Sequence, residues 1–184
     1  MSNINRIKEE IKMSKHIGSI NKDQHVYIAE KDDMKGIVRL LKGVSSWLQE
    51  SRLKQWEFLN EGGEDPEIKQ AIEDENTFVV KEGDDLIATF TLYEIQNPWD
   101  KNIWGQSSDD AFYLHRLSVD YSRLGTGLGR DVIAWMETYT KTQGMKRIRL
   151  DCVENNEKLN SIYQNLGYDY KGTNHEHCRY EKML

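Results

Sequence analysis

Hydrophobic and polar positions follow two different periods along this chain. In several stretches apolar residues recur at i, i+3, i+4 and i+7, which is the spacing of one buried helix face. These helix candidates are 37–44, 47–59, 67–73, 131–142 and 159–166. Other stretches alternate with a period of two and are rich in β-branched and aromatic residues, as strands are. These strand candidates are 25–30, 77–81, 86–95, 112–119, 146–152, 168–170 and 179–184.

The order of these elements predicts an α+β protein. The strands 77–81 and 86–95 flank the turn Glu82-Gly83-Asp84-Asp85, which is a hairpin signal. Antiparallel strands therefore come first. A βαβ unit follows, made of 112–119, the next helix and 146–152.

The same pattern divides the chain into two regions. Residues 1–25 are mostly polar and predict a loosely attached N-terminal extension. The remaining residues, 26–184, are about the length of one domain. Within that domain the Trp-bearing stretch 97–109 predicts a polar loop.

Composition narrows the class of protein but not its activity. The chain has 184 residues, of which 38% are hydrophobic and 30% charged, as is ordinary for a soluble globular domain. Its net charge of −6 argues weakly against nucleic acid as the main partner, because phosphate contacts need a basic surface. A cationic substrate fits this charge better.

The sequence also carries expectations about location and assembly. No apolar run is long enough to span a bilayer, and the N-terminus lacks the apolar segment of a signal peptide, so we expect no membrane partner. Two cysteines are too few for a disulfide framework, and a reducing cytoplasm is the expected compartment. The oligomeric state stays open, a homodimer being the commonest closed assembly.

A glycine-rich turn lies between the strand 112–119 and the next helix. Gly125, Gly127 and Gly129 alternate there. Small residues let the backbone approach a phosphate, and the free N–H groups of the first helical turn point at it. The turn lacks the Lys of a P-loop, and Arg130 stands at the third glycine position of a dinucleotide fingerprint. The sequence therefore predicts an anion site of another kind.

Two motifs lie on this turn and about thirty residues after it. The first runs Leu117-Ser118-Val119-Asp120-Tyr121-Ser122-Arg123-Leu124-Gly125-Thr126-Gly127-Leu128-Gly129. In the second, 155–168, Asn156 is followed seven residues later by Tyr163 and then by Leu166-Gly167-Tyr168. Together they resemble the GNAT superfamily of N-acetyltransferases. The similarity covers roughly residue 26 to the C-terminus and implies a GNAT-like three-layer fold, with a mixed central sheet, helices on both faces and a central βαβ unit.

The resemblance implies that the co-substrate is acetyl-CoA. The amides from Gly125 to Arg130 would hold its pyrophosphate, and backbone groups of 117–119 would pair with the pantetheine arm, for which such folds splay this strand from the next. Asn156 would bind the arm from the other side or cap its own helix. The residues so implied are Leu117, Ser118, Val119, Leu124, Gly125, Thr126, Gly127, Leu128, Gly129, Arg130, Asn156 and Tyr163. Leu124 departs from the Gln or Arg that is usual in the family, and Arg123 and Arg130 could place a cation nearby.

The resemblance also implies the chemistry. An amine would attack the thioester directly, without an acyl-enzyme or a metal, and Tyr163 would protonate the departing thiolate. The acceptor would be a primary amine of a small molecule or a peptide. His115 is a candidate general base for the attacking amine, because its pKa range is suitable and it lies on the strand that enters the site. Asp110 or a chain of waters is equally admissible.

Two other activities remain open at this point. A catalytically silent domain that senses acyl-CoA would not need Tyr163, and a nucleotide-binding module would bind ATP or NAD instead. Cys152 alternates with apolar residues on its strand, which favours core packing over an acyl-accepting nucleophile. The segment 175–178 has no standard zinc spacing, and a polar loop is predicted for it.

The last candidate residues are aromatic and lie near the expected acceptor pocket. Trp47, Trp56, Trp99 and Trp104 are candidates for shaping an acceptor pocket or for plain packing. Carboxylates close to them in sequence could attract an amine, and these are Glu50, Glu57 and Asp100.

Overall fold

The computed structural model describes residues 15–50, 56 and 65–184. Within these residues the strands are β1 His16–Ser19, β2 Gln24–Ile28, β3 Thr77–Glu82, β4 Asp85–Tyr93, β5 Ala111–Val119, β6 Arg147–Val153, β7 Asp169–Asn174 and β8 His177–Met183. The α-helices are α1 Met34–Glu50, α2 Asp65–Glu73, α3 Pro98–Trp104, α4 Leu128–Thr142 and α5 Glu157–Asn165.

The strands form one mixed sheet in the order β1-β2-β3-β4-β5-β6-β8-β7. Neighbours from β1 to β5 are antiparallel, β5 and β6 are parallel, and β6, β8 and β7 are antiparallel again. Helix α4 connects the two parallel strands. The predicted order of an antiparallel part followed by a βαβ unit is therefore confirmed.

Apolar residues of the central strands pack on both faces of the sheet. Phe78 and Val80 belong to the cluster that contains the inner face of α4, whereas Val79 packs with residues of α1 and α2. Adjacent strand residues point to opposite faces, so a strand covered by helices on both sides reads as a continuous apolar run. This arrangement confirms the predicted three-layer architecture. It also explains why four consecutive residues of β3, 77–80, are all buried.

The predicted loop 97–109 was wrong for part of its length, because Pro98–Trp104 is helix α3. Asn97 caps this helix: its side chain accepts a hydrogen bond from the amide of Asp100, and the Asp100 side chain accepts one from the amide of Asn97. Proline in the first turn suits such a start. The helix is too short to show an apolar period, since its buried apolar residue is Ile103 alone, and periodicity therefore missed it.

Both termini of the described chain differ in detail from the predicted elements. Within the stretch 1–25, the segment His16–Ser19 is strand β1 and pairs with β2, while the division into extension and domain stays a prediction. His177 and Cys178, predicted as polar loop, lie in β8, and the turn before them contains His175 and Glu176 with positive φ.

Two further expectations concern the helices. Most of the helix candidate 47–59 lies outside the described residues. Among those residues no helix is both long and apolar enough to cross a membrane.

Candidate active site

A cleft opens where β5 and β6 stop pairing. Their parallel ladder runs from Ala111 opposite Arg147 to Leu114 opposite Leu150. Both strands continue beyond these positions, to Val119 and Val153. A cavity of about 1430 Å³ lies there and is lined by residues of both strands. Because the facing strand edges are unpaired, an extended ligand can add its own hydrogen bonds between them. The splay that the family resemblance implies is thus present.

A β-bulge shapes the β5 side of this cleft. Thr89 pairs with Ser118 and Thr91 pairs with His115, so that Arg116 and Leu117 together face a single residue of β4. Arg116 has φ of 52°, which fits the irregular backbone of a bulge. In a regular strand neighbours would alternate between faces. Here four consecutive residues, 114 to 117, line the cavity.

The glycine turn also lines the cavity, at the N-terminus of α4. Gly125 and Gly127 have φ of 77° and 92°, a left-handed backbone that glycine adopts without strain. Gly127 is the N-cap of α4, and its carbonyl accepts from the amide of Asp131 at 3.1 Å. Among the described residues, the amides of Gly127, Gly129 and Arg130 donate no hydrogen bond. Such a helix N-terminus favours a bound anion.

The cavity collects most of the residues predicted to bind acetyl-CoA. Those that line it are Leu117, Val119, Leu124, Gly125, Gly127, Leu128, Gly129, Arg130, Asn156 and Tyr163. Ser118 and Thr126 do not line it. Ser118 is 3% exposed and its hydroxyl has no hydrogen-bond partner within the described chain. The hydroxyl of Thr126 donates to the carbonyl of Arg123 at 2.7 Å and so stabilises the turn itself.

The two arginines beside the glycine turn differ in availability. Arg123 forms an ion pair with Glu82. Hydrogen bonds from Gln24 and Arg123 hold the pKa of that carboxyl below its usual value. Arg130 is exposed and forms no ion pair with another described residue. Lys158 of α5 lines the same cavity. Arg130 and Lys158 therefore both add positive charge to the lining of the cavity.

Tyr163 lies on the face of α5 that lines the cavity, and it is 6% exposed. Its ring centroid lies 5.8 Å from those of Tyr168 and Tyr180, so both of these rings pack against it. Burial raises the pKa of its hydroxyl above the usual value. The phenol therefore stays protonated through the neutral range and is available as a hydrogen-bond donor.

Asn156 and Asn160 organise the start of α5. Oδ1 of Asn156 accepts from the amide of Leu159 at 3.1 Å, so the residue caps its own helix, one of its two expected roles. Asn160 was missed by sequence reasoning. Its side-chain amide donates to the carbonyl of Asn156 at 2.8 Å, and its oxygen accepts from the hydroxyl of Tyr180 at 2.8 Å and from the thiol of Cys152 at 3.3 Å. A polar residue on the buried face of a helix was the available signal.

Cys152 lines the cavity but is poorly suited as a nucleophile. Burial raises the pKa of its thiol to about 12. A thiol must ionise to attack, and the thiolate fraction at neutral pH is negligible with that value.

His115 lies at the bulge and is bonded to an acid from another element. Its Nε2 is 2.8 Å from Oδ1 of Asp100, whose side chain is 1% exposed. The ring of Tyr93 packs edge-on against the imidazole, with centroids 5.2 Å apart. Asp110, the alternative base, lies elsewhere: it is exposed, pairs with Lys146 at 2.8 Å and does not line the cavity.

The cavity is also lined by aromatic and acidic residues. Trp47, Trp56 and Trp99 line it, whereas Trp104 does not. Of the carboxylates expected there, Glu50 and Asp100 do not line it and Glu57 lies outside the described residues. Carboxylates from three other residues do, namely Glu67, Asp74 and Asp151. Glu67 lies in α2, Asp74 follows its last residue and Asp151 lies in β6. Sequence reasoning missed these three because it considered only carboxylates close to the tryptophans in sequence.

Among these three carboxylates, Asp151 contacts an aromatic residue of the lining. The indole nitrogen of Trp99 donates to its two carboxylate oxygens at 3.2 and 3.3 Å. Burial raises the pKa of Asp151 above its usual value, although the nearby His115 and His177 act in the opposite direction. The ring of His177 lies 5.0 Å from that of Trp99. A cation bound here would offset the desolvation of the Asp151 carboxylate.

The chain is similar to several known proteins. A family model described as acetyltransferase (GNAT) family matches residues 41–168. The uncharacterized N-acetyltransferase YesJ of Bacillus subtilis (strain 168) is 35% identical over 142 residues, which are 77% of this chain and 79% of that protein. A crystal structure of a GNAT-family acetyltransferase from Listeria monocytogenes 4b F2365 is 29% identical with a TM-score of 0.76, over 86% of this chain and 94% of that one.

A more distant structure shares the fold. The PaiA N-acetyltransferase of Thermoplasma acidophilum, solved in complex with coenzyme A, is 15% identical with a TM-score of 0.72. The match covers 88% of this chain and 99% of that one.

Proposed function

Because the chain belongs to the GNAT family of acetyltransferases, we propose that it transfers the acetyl group of acetyl-CoA to a primary amine. The observation that carries this proposal is the cleft itself. Its lining combines a cradle of free backbone amides at the N-terminus of α4 with aromatic and acidic side chains, and it lies where the β5–β6 ladder ends. A long anionic donor and a cationic acceptor fit these two parts of the lining.

The lining at the N-terminus of α4 supports a pyrophosphate bound there. The amides of Gly127, Gly129 and Arg130 supply donors, and the side chain of Arg130 supplies a cation. The pantetheine arm would then lie in the cleft beside Leu117 and Val119. Leu124 is exposed and lines the cavity, so it contributes apolar contact where the family usually has a polar side chain.

The reaction needs one proton removed before attack and one delivered to the leaving group. A base takes a proton from the ammonium form of the acceptor, and the free amine then attacks the thioester carbon. The tetrahedral intermediate expels the thiolate, and the nitrogen loses its second proton. One proton ends on coenzyme A and one in solvent.

Two residues of the cleft serve these steps. The protonated hydroxyl of Tyr163 donates to the departing sulfur, which lowers the barrier to its release. His115 accepts the proton of the acceptor ammonium. Its position beside the bulge, on the lining of the cavity and close to Asp151, supports this role.

The acidic lining of the cavity favours a cationic acceptor over a neutral one. Glu67, Asp74 and Asp151 supply carboxylates to this lining, while the tryptophans offer ring faces that attract ammonium groups. The amine would therefore arrive in its charged form, which is the form that requires a base.

Ligand screening followed by an activity assay tests this proposal. Acetyl-CoA should raise the melting temperature, whereas ATP and NAD at equal concentration should not, because a ligand at about 100 times its Kd stabilises a protein by roughly 2.7 kcal/mol. Thioester consumption is then measured over a panel of primary amines. Stabilisation by acetyl-CoA without turnover of any amine would indicate an acyl-CoA sensor instead, and stabilisation by ATP or NAD alone would indicate a nucleotide-binding module.

A further inference from the structure

Asp100 is a buried carboxylate with two separate partners. Its Oδ1 lies 2.8 Å from Nε2 of His115. Its Oδ2 accepts from the backbone amide of Asn97 at 3.0 Å, as part of the reciprocal cap of α3. The first turn of α3 thus holds the carboxylate in place, and the position of the carboxylate in turn determines how the imidazole can sit.

We propose that Asp100 is a positioning residue that holds His115 as a base with its hydrogen on Nε2 and its lone pair on Nδ1. This inference rests on the proposed acetyl transfer and names the group that prepares its base. An ionised carboxylate can only accept, so Nε2 must carry the hydrogen in the pair. Within the described chain Nδ1 of His115 has no hydrogen-bond partner, and the residue lines the cavity.

The pair also stabilises the charge that forms during the reaction. When Nδ1 takes the proton of the acceptor ammonium, the imidazolium faces the fixed negative charge of Asp100. Among the described residues, further titratable or charged groups near the ring are Asp151 from β6, Tyr93 from β4 and Arg116 from its own strand, and His177 from β8 interacts with the same Asp151. The two carboxylates favour the imidazolium, and Arg116 opposes it.

Asp100→Asn is a sharp test, because the cap of α3 decides how the new amide must point. The backbone amide of Asn97 needs an acceptor, so the side-chain oxygen of the new asparagine should turn toward it. The NH2 group then faces His115 and donates to Nε2. This forces the imidazole hydrogen onto Nδ1 and removes the lone pair from the cavity.

The experiment has a spectroscopic and a kinetic readout. In ¹⁵N-histidine spectra at a pH where His115 is neutral, the wild-type ring should carry its hydrogen on Nε2 and the variant ring on Nδ1. Turnover should fall by about 10²- to 10⁴-fold in Asp100→Asn, while acetyl-CoA affinity stays unchanged. Asp169→Asn, an exposed change on β7, serves as a control and should change neither readout.

The outcomes separate the inference from the function it rests on. A hydrogen on Nδ1 of His115 in the wild type would overturn the inference, and this measurement does not require the variant to fold. A tautomer that shifts in Asp100→Asn with undiminished turnover would overturn it as well. An Nε2 hydrogen in a protein that acetylates no amine would support the positioning and contradict acetyl transfer.

Discussion

Nε of Arg149 donates a hydrogen bond of 2.8 Å to Oε2 of Glu181, and both residues are 9% exposed. The pair joins β8 to β6, the strand that also carries Asp151 into the cleft. Arg149 also donates to the hydroxyl of Tyr113 at 2.9 Å, which ties it to β5. The guanidinium therefore holds together the strands that separate farther along to form the cavity.

Arg149→Met should lower the free energy of unfolding by about 3 kcal/mol or more, because it leaves the buried Glu181 with weaker partners. Lys171→Met removes an exposed partner of the same carboxylate, 3.7 Å away, and should cost less than about 1 kcal/mol. Urea unfolding at neutral pH compares the two. Equal losses of unfolding free energy would show that burial of Arg149 does not increase its contribution to stability.

The same pair predicts how stability depends on pH. Burial alone would raise the pKa of Glu181, but the hydrogen bond and charge of Arg149 lower it below the usual 4.5. A group with a lowered folded-state pKa stabilises the protein fully above its unfolded-state pKa and loses that contribution as pH falls through the folded value. Wild-type stability should therefore drop more steeply below about pH 4 than that of Glu181→Gln. Parallel urea titrations check this, and identical slopes would contradict it.

Gly127→Val should weaken acetyl-CoA binding by at least about tenfold. The backbone at this N-cap has φ of 92°, where a β-branched residue costs about 1–3 kcal/mol, and relaxation would move the amides away from the anion. Gly144→Val is a matched control, since Gly144 has φ of 78° but lies past the opposite end of α4. The control should lose stability and keep affinity in calorimetric titrations. Full affinity in a folded Gly127→Val protein would contradict the assigned anion site.

Tyr163→Phe should lower kcat by about 10²-fold and leave the Kd for acetyl-CoA nearly unchanged. Because burial raises the pKa of this phenol, it retains its proton to higher pH than an ordinary tyrosine. It should therefore cause no loss of activity below about pH 10. Tyr170→Phe, an exposed tyrosine of β7, should behave as wild type. If Tyr163→Phe turned over at the wild-type rate at every pH, Tyr163 would not be the proton donor.

Arg130→Ala should weaken acetyl-CoA binding several-fold, and more than Arg123→Ala does. Arg123 already neutralises Glu82, whereas Arg130 forms no ion pair with a described residue and is free to meet a phosphate. The effect of Arg130→Ala should shrink as salt rises, because the site is exposed and screened. Isothermal titration at two ionic strengths compares the two variants. A larger loss of acetyl-CoA affinity in Arg123→Ala would show that Arg123, and not Arg130, contacts the phosphate.

Local patterns predicted the elements whose signal lies in consecutive residues. The strand before Gly125, the helix after it and the helix that carries Tyr163 were all predicted, and the mixed α+β sheet is confirmed. Helix α3 was missed because one buried apolar residue makes no period, although Asn97 and Pro98 marked its start. The predicted roles of the cleft residues stay predictions that the experiments above address.

By itself, the sequence determined the order of the strands and helices except β1 and α3, and it determined the glycine turn with its backbone freedom, since these depend on neighbouring residues and on φ. Only the tertiary structure decided that β5 and β6 part after Leu114 and Leu150, that a bulge brings His115 into the cavity, and that Asp100 meets it from α3. Each of these follows from pairing register and packing between distant segments. Such contacts leave no periodic trace in a single chain.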